Sequence, residues 1–119
     1  METKTNQTAT KGHTMNSQAI AQTILSQLGG QARIHAMTGA YRFTNTGSDS
    51  DMLGGVSFWF RDSRKANCCA VYLMGDDTYT MRFWKIRGCN IVEVGVFEGA
   101  YCDMLTELFE STTGLYLSL

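Results

Sequence analysis

The residues able to take part in covalent, metal or phosphate chemistry are few: four cysteines, two histidines, two pairs of neighbouring aspartates and two glycine pairs. Cys68, Cys69, Cys89 and Cys102 form no CxxC, and neither His13 nor His35 stands at a metal-ligand spacing from them. Cys68 and Cys69 are adjacent on a predicted strand, where alternation sends them to opposite faces. Cys102 lies near the start of a predicted helix, which would lower a thiol pKa, but its place beside an apolar stripe predicts burial. Asp76 and Asp77 resemble a catalytic carboxylate pair, yet a turn between two strands favours Asp for backbone reasons alone. Asp49 and Asp51 lack the twelve-position spacing and closing Glu of a calcium loop. Gly29-Gly30 and Gly54-Gly55 lack the flanking residues of a phosphate-binding loop. His13 sits in a polar tail, and His35 reads as a strand-surface residue without a partner. These residues predict no enzyme, no metal and no cofactor.

A second kind of chemistry, stacking and charge, is better represented. Trp59, Arg61, Tyr72, Arg82 and Trp84 fall on predicted strands, with Lys85 and Arg87 at a strand end and Arg64 and Lys65 in a nearby loop. Flat rings beside guanidinium groups accept unstacked bases and phosphates. The competing reading is a surface covered by a helix, a second copy or another protein, with Arg stems lying over the Trp rings.

The elements that must position these residues centre on residues 67–97. Three apolar, β-branched and aromatic runs separated by GDD and GC read as a β-meander. Gly88-Cys89 fits a two-residue type II′ turn pairing Arg87 with Asn90, so that Phe83 faces Val94 and Met81 faces Val96. Pairing Met74 with Thr78 sets Leu73 against Tyr79, Val71 against Met81 and Cys69 against Phe83. A four-residue loop pairing Asp62 with Asn67 brings Phe60 to Cys69, Phe58 to Val71 and Val56 to Leu73. The predicted inner face is Val56, Phe58, Phe60, Cys69, Val71, Leu73, Tyr79, Met81, Phe83, Val92, Val94 and Val96. Outside, Trp59 shares a row with Ala70, Arg82 and Gly95, and Arg61 shares one with Cys68, Trp84 and Glu93. Ser57, Tyr72, Thr80 and Phe97 make the third.

Around the meander, residues 1–16 read as a disordered polar lead-in, with Met15 a possible alternative start. Ser17 caps a helix whose Ile20, Ile24, Leu25 and Leu28 share a face, and Gly29-Gly30 ends it. Residues 32–43 read as a strand bent near Gly39, 44–55 as a loop, and 56–61 as a strand. Tyr101, Met104, Leu105, Leu108 and Phe109 form the stripe of a last helix ended by Gly114. Glu107 and Glu110 oppose its dipole and are expected to serve solubility or a partner. The alternating leucines of LYLSL predict a docked tail.

Composition fits this reading: 119 residues, 44% hydrophobic and 18% charged, make one domain over 17–119 that buries roughly two thirds of its unfolded surface. Residues 33–87 carry eight Lys/Arg against five Asp/Glu, and 88–119 carry five acids and no base. Two faces of opposite sign are the expected result. No run reaches transmembrane length and no apolar secretory segment opens the chain, so the thiols are expected to be reduced in a cytosolic protein.

Several segments together resemble a family of small uncharacterised proteins from phages, prophages and bacterial mobile elements: QTILSQLGG (22–30), AMTGA (36–40), DTY (77–79), FWKIRG (83–88), YCDMLTELF (101–109) and TTGLY (112–116). The resemblance implies a mobile-element setting inside a bacterial cell and carries no catalytic residues. Proteins in that setting often bind nucleic acid or block a host defence enzyme.

The sequence thus predicts an α+β domain, an antiparallel sheet of about five strands with a helix from each end of the chain. The expected function is non-enzymatic binding of single-stranded nucleic acid, or of a complex that handles it, through Trp59, Arg61, Tyr72, Arg82, Trp84, Lys85 and Arg87. The alternative is a protein-interaction inhibitor or accessory factor acting on a host enzyme. A homodimer through the sheet face or an edge strand is the other partner considered, and no membrane is involved.

Overall fold

A computed structural model describes residues 17–117; the lead-in 1–16, with His13 and Met15, and the tail residues 118–119, with Leu119, lie outside the described residues. Helix α1, Ser17–Gln27, buries Ile20, Ala21, Ile24 and Leu25. Gly29 and Gly30 then take φ of +110° and +97°, a region that strains any residue with a Cβ.

The strand expected over 32–43 is a helix for most of its length: α2 spans Gln31–Thr38, and Gly39, in the left-handed region, caps it by donating its N–H to the His35 carbonyl at 2.8 Å. The β-branched Ile34 and Thr38 suit a strand by type. They stand four apart and both are buried, so they share one helical face. The Thr38 hydroxyl satisfies itself on the Ile34 carbonyl at 2.6 Å. Ala32, Arg33, Ala36 and Met37 of the same segment are good helix formers.

Five strands follow: β1 Tyr41–Thr46, β2 Met52–Trp59, β3 Cys68–Met74, β4 Tyr79–Arg87 and β5 Asn90–Ala100. They pair antiparallel in chain order. The expected loop 44–55 therefore shrinks to 47–51. A short 3-10 turn, Cys102–Met104, leads into α3, Leu105–Thr113, which Gly114 caps at φ +78°. Leu117 of the tail is buried, and its N–H donates to the Glu110 carboxylate at 2.9 Å. Glu110 thus anchors the tail, a contact not anticipated from its place near the helix C-terminus.

The architecture is α+β, with helices from both ends of the chain packed on one face of the sheet. Ile20, Ile24 and Leu28, Ile34, and Leu105 and Phe109 meet Val56, Phe58, Phe60, Cys69, Val71, Met81 and Phe83 in one core. Phe109 touches the rings of Phe58, Phe60 and Phe83 with centroids 5.3 to 6.1 Å apart.

Register follows the expected pattern in β3–β4, where Leu73, Val71 and Cys69 face Tyr79, Met81 and Phe83. Between β2 and β3 it slides by two residues, Phe58 facing Cys69 and Val56 facing Val71. The connection is longer than four residues: the Phe60 N–H donates to the Asn67 carbonyl, and the Asn67 amide bonds both backbone groups of Ile86. An even shift preserves which face each side chain occupies.

The β4–β5 ladder departs more. Arg87 faces Asn90, as expected, with Gly88 at φ +58°. A bulge at Val94 then puts Phe83 opposite Gly95 and Met81 opposite Phe97. The extra residue inverts the remainder of β5. Phe97, expected outside, packs edge-on against Phe83; Val96, expected inside, joins the open face opposite Arg82 and is 39% exposed, Val94 stands in the bulge at 41%, and Val92 keeps its expected place opposite Lys85 but is 50% exposed at the sheet edge.

Candidate nucleic-acid interface

The sheet face turned away from the helices holds the aromatic residues. Register places Tyr41, Trp59, Cys68, Trp84 and Glu93 in one row across all five strands. The next row runs Thr44, Ser57, Ala70, Arg82 and Val96, and the third Thr46, Gly55, Tyr72 and Thr80. Trp59 and Trp84, expected in different rows, therefore share one, two strands or about 10 Å apart. The slide between β2 and β3 produces this alignment.

Two adjoining depressions mark the face. One, of about 330 Å³, is lined by Cys68, Ala70, Tyr72, Trp84, Ile86 and Ile91 among others; the second, of about 460 Å³, includes Tyr72, Arg82, Trp84, Glu98 and the Asp49–Asp51 loop residues. Every lining residue belongs to the sheet or its loops, so no described helix covers the face. A Cβ at Gly55 would meet the Val71 carbonyl oxygen at 2.4 Å and the Tyr72 ring at 2.8 Å. Only glycine leaves room there for the adjoining strand and the Tyr72 ring.

Of the expected site residues, Trp59, Tyr72, Arg82 and Trp84 come together on this face, and Arg61, Lys85 and Arg87 do not. Past Trp59 the chain leaves the sheet: the Arg61 N–H donates to the Thr38 carbonyl, and its side chain packs on Gly39 with the guanidinium 4.4 Å from the Tyr41 ring centre. Lys85 alternates to the helix side, where its Nζ donates to the Ser63 carbonyl at 3.3 Å. Arg87 is exposed at the β4–β5 turn. Arg82 is engaged by Glu93 at 3.0 Å.

The three displaced cations have a common address. The 60–67 connection, the β4–β5 turn and the start of β1 lie at the same end of the sheet, which gathers Arg42, Arg61, Arg64, Lys65, Lys85 and Arg87 against Asp62. The opposite end carries Asp49, Asp51, Asp76 and Asp77 in its two turns, then Glu98 and Asp103. The sequence suggested two faces of opposite sign; the fold instead separates charge along the strands. The tryptophan row is the one nearest the cationic end.

Burial pushes the Cys68 thiol up, and burial also raises the Tyr72 hydroxyl in spite of the nearby Arg82 charge. Both are neutral at physiological pH. The Asp76 carboxyl is held below its usual range by the Thr78 hydroxyl and N–H, the turn-stabilising role expected of it. Cys102 is exposed, contrary to expectation, because the helix begins only at Leu105 and the 3-10 turn faces solvent. Tyr101 and Met104, counted in the apolar stripe, are exposed for the same reason. His35 is on α2, its Nδ1 2.7 Å from the Ala40 carbonyl oxygen. Among the described residues no three His, Cys, Asp or Glu cluster as metal ligands would.

Two face residues escaped the sequence reading. Ile86 and Ile91 flank Trp84, and Ile91 is 64% exposed. Alternation from Trp84 through the Gly88 turn was the available signal.

No family model matches the chain, and neither the curated proteins nor the solved structures searched contain a match to it. No described helix is long and apolar enough to cross a membrane.

Proposed function

We propose that this chain is a non-enzymatic binding protein that holds single-stranded nucleic acid, alone or within a nucleic-acid-handling complex. In keeping with its resemblance to phage and mobile-element proteins, it would act in the bacterial cytoplasm. The observation that carries this reading is the placement of Trp59 and Trp84 in one row of an uncovered face, the row nearest the cationic end of the sheet. Bases stack on the two indoles, each contributing roughly 1–3 kcal/mol, while Arg61, Arg64, Lys65 and Arg87 meet phosphates. Tyr72 and the Arg82–Glu93 pair floor the face below.

Titration of labelled single-stranded DNA and RNA against tryptophan emission tests this. Binding weakens as salt rises, and Trp84→Ala reduces affinity by roughly 5- to 150-fold, the equivalent of one lost stacking contact of about 1–3 kcal/mol. Unchanged tryptophan emission with both nucleic acids at low salt overturns the reading.

The apolar flank of Trp84, with Ile86 and Ile91, and the neutralised Arg82 favour a second reading, a protein partner such as a host defence enzyme. Its mark would be capture from bacterial lysate that survives nuclease treatment and is lost on Ile91→Lys.

A further inference from the structure

We infer that the depression beside Trp84 selects guanine: a base stacked on Trp84 turns its O6 and N7 acceptors to Arg82 and its N1–H and N2–H donors toward the carboxylates of Asp51 and Glu98. The inference rests on the single-stranded nucleic-acid reading and adds a base preference to it. The depression, of about 460 Å³, is of small-ligand size. Its lining brings the rings of Trp84 and Tyr72 together with the Arg82 guanidinium and the acids Asp49, Asp51 and Glu98.

Charge orients the base. Trp84 stands in the row nearest the cationic end, Arg82 in the next, Tyr72 in the third, and the Asp49–Asp51 loop lies beyond. A nucleotide on Trp84 therefore keeps its phosphate at the cationic end and points its base edges along the strands toward the acids. Stacking alone accepts every base. The choice falls to groups that only donate or only accept, because hydroxyls do both.

Arg82 only donates, and the ionised carboxylates only accept. Glu93 holds the Arg82 Nη1 at 3.0 Å, which positions the guanidinium and leaves its other N–H groups available. One Asp49 oxygen is committed to the Ser50 N–H at 2.8 Å. The Asp51 and Glu98 carboxylates have no hydrogen-bond or ion-pair partner among the described residues. Donors followed by acceptors match one base. Guanine carries O6 and N7 on one edge and N1–H with the N2 amine on the next. Adenine and cytosine set a single amine beside a ring acceptor, and uracil and thymine flank N3–H with two carbonyls that a carboxylate repels.

End-labelled oligouridines carrying one central guanosine, adenosine or inosine test this by fluorescence anisotropy at low salt. The guanosine strand is expected to bind roughly 5- to 150-fold more tightly than all-uridine, the discrimination of one bidentate pair. The inosine strand, which lacks only the N2 amine, falls between them. Asp51→Asn/Glu98→Gln collapses the guanosine-to-uridine ratio, and 7-deazaguanosine lowers it by removing the N7 acceptor from Arg82. Equal binding of the guanosine and all-uridine strands, tighter binding of adenosine than guanosine, or a preference that survives the double substitution overturns the inference and leaves the proposed function standing. Binding of no strand overturns both.

Discussion

The β3–β4 and β4–β5 hairpins share a strand and differ in almost everything else. The first holds an unbroken ladder of six pairs and buries its inner side chains. The second carries two bulges and leaves four β-branched residues in solvent. The cause lies in their neighbours. Strand β3 is bonded on both sides, so an extra residue would disrupt two ladders and expel core side chains. Strand β5 is bonded on one side, where one ladder absorbs the insertion. The functional consequence is a division of labour: the central hairpin supplies rigidity and the tryptophan row, and the outer one supplies the cationic turn and the open edge.

The contrast is tested most severely at Phe83, the inner residue that belongs to both hairpins. Its ring lies 6.0 Å from those of Phe97 and Phe109 and is fully buried. Phe83→Ala should cost about 3–5 kcal/mol in urea unfolding, the range for an aromatic removed from a packed core. A cost below about 1 kcal/mol, as surface changes give, would mean that the helix-side core is not centred where the central ladder puts it.

A smaller effect separates the thiols of the two hairpins. Cys69, on the inner face of β3, is fully buried, and that burial, with Cys68 beside it, pushes its thiol well above the ordinary 9.0; Cys89, in the β4–β5 turn, is exposed. The folded chain holds the Cys69 proton where the unfolded chain releases it. The stabilisation is therefore complete below pH 9 and declines as pH rises beyond it. Wild-type protein should lose more melting temperature between about pH 8 and about pH 10 than Cys69→Ala does. In the native state a thiol reagent should reach Cys89 and Cys102 and spare Cys68 and Cys69. An equal pH slope in the two proteins would show that Cys69 ionises without penalty.

The same division decided what the sequence could disclose. Five antiparallel strands, the helix face of Ile20, Ile24 and Leu28, and the β3–β4 register were legible because alternation and turn type each constrained them independently. Helix α2 was not, since Ile34 and Thr38 suit a strand by type and a helix by spacing. Trp59 and Trp84 were assigned to the open face correctly, because a slide of two residues leaves alternation intact. Their sharing of one row depended on the length of the 60–67 connection, which the Asn67 side chain sets by bonding Ile86. Arg61 was misplaced because the strand stops at Trp59 and the next residues turn toward α2. Gly95, next to the bulged Val94, was the one local signal for the inversion of β5, and alternation of the flanking valines overrode it.

The smallest expected effect is also the sharpest probe of that inversion. By uninterrupted alternation Val94 would sit on the core face opposite Phe83, and its truncation would leave a cavity. In the bulged strand Val94 has no cross-strand partner and is 41% exposed. Val94→Ala should then change urea stability by no more than about 0.5 kcal/mol, as for surface positions generally. Val71→Ala, fully buried in β3 opposite Met81, should cost several times more. A cost matching that of Val71 would place Val94 in the core and restore the unbulged register.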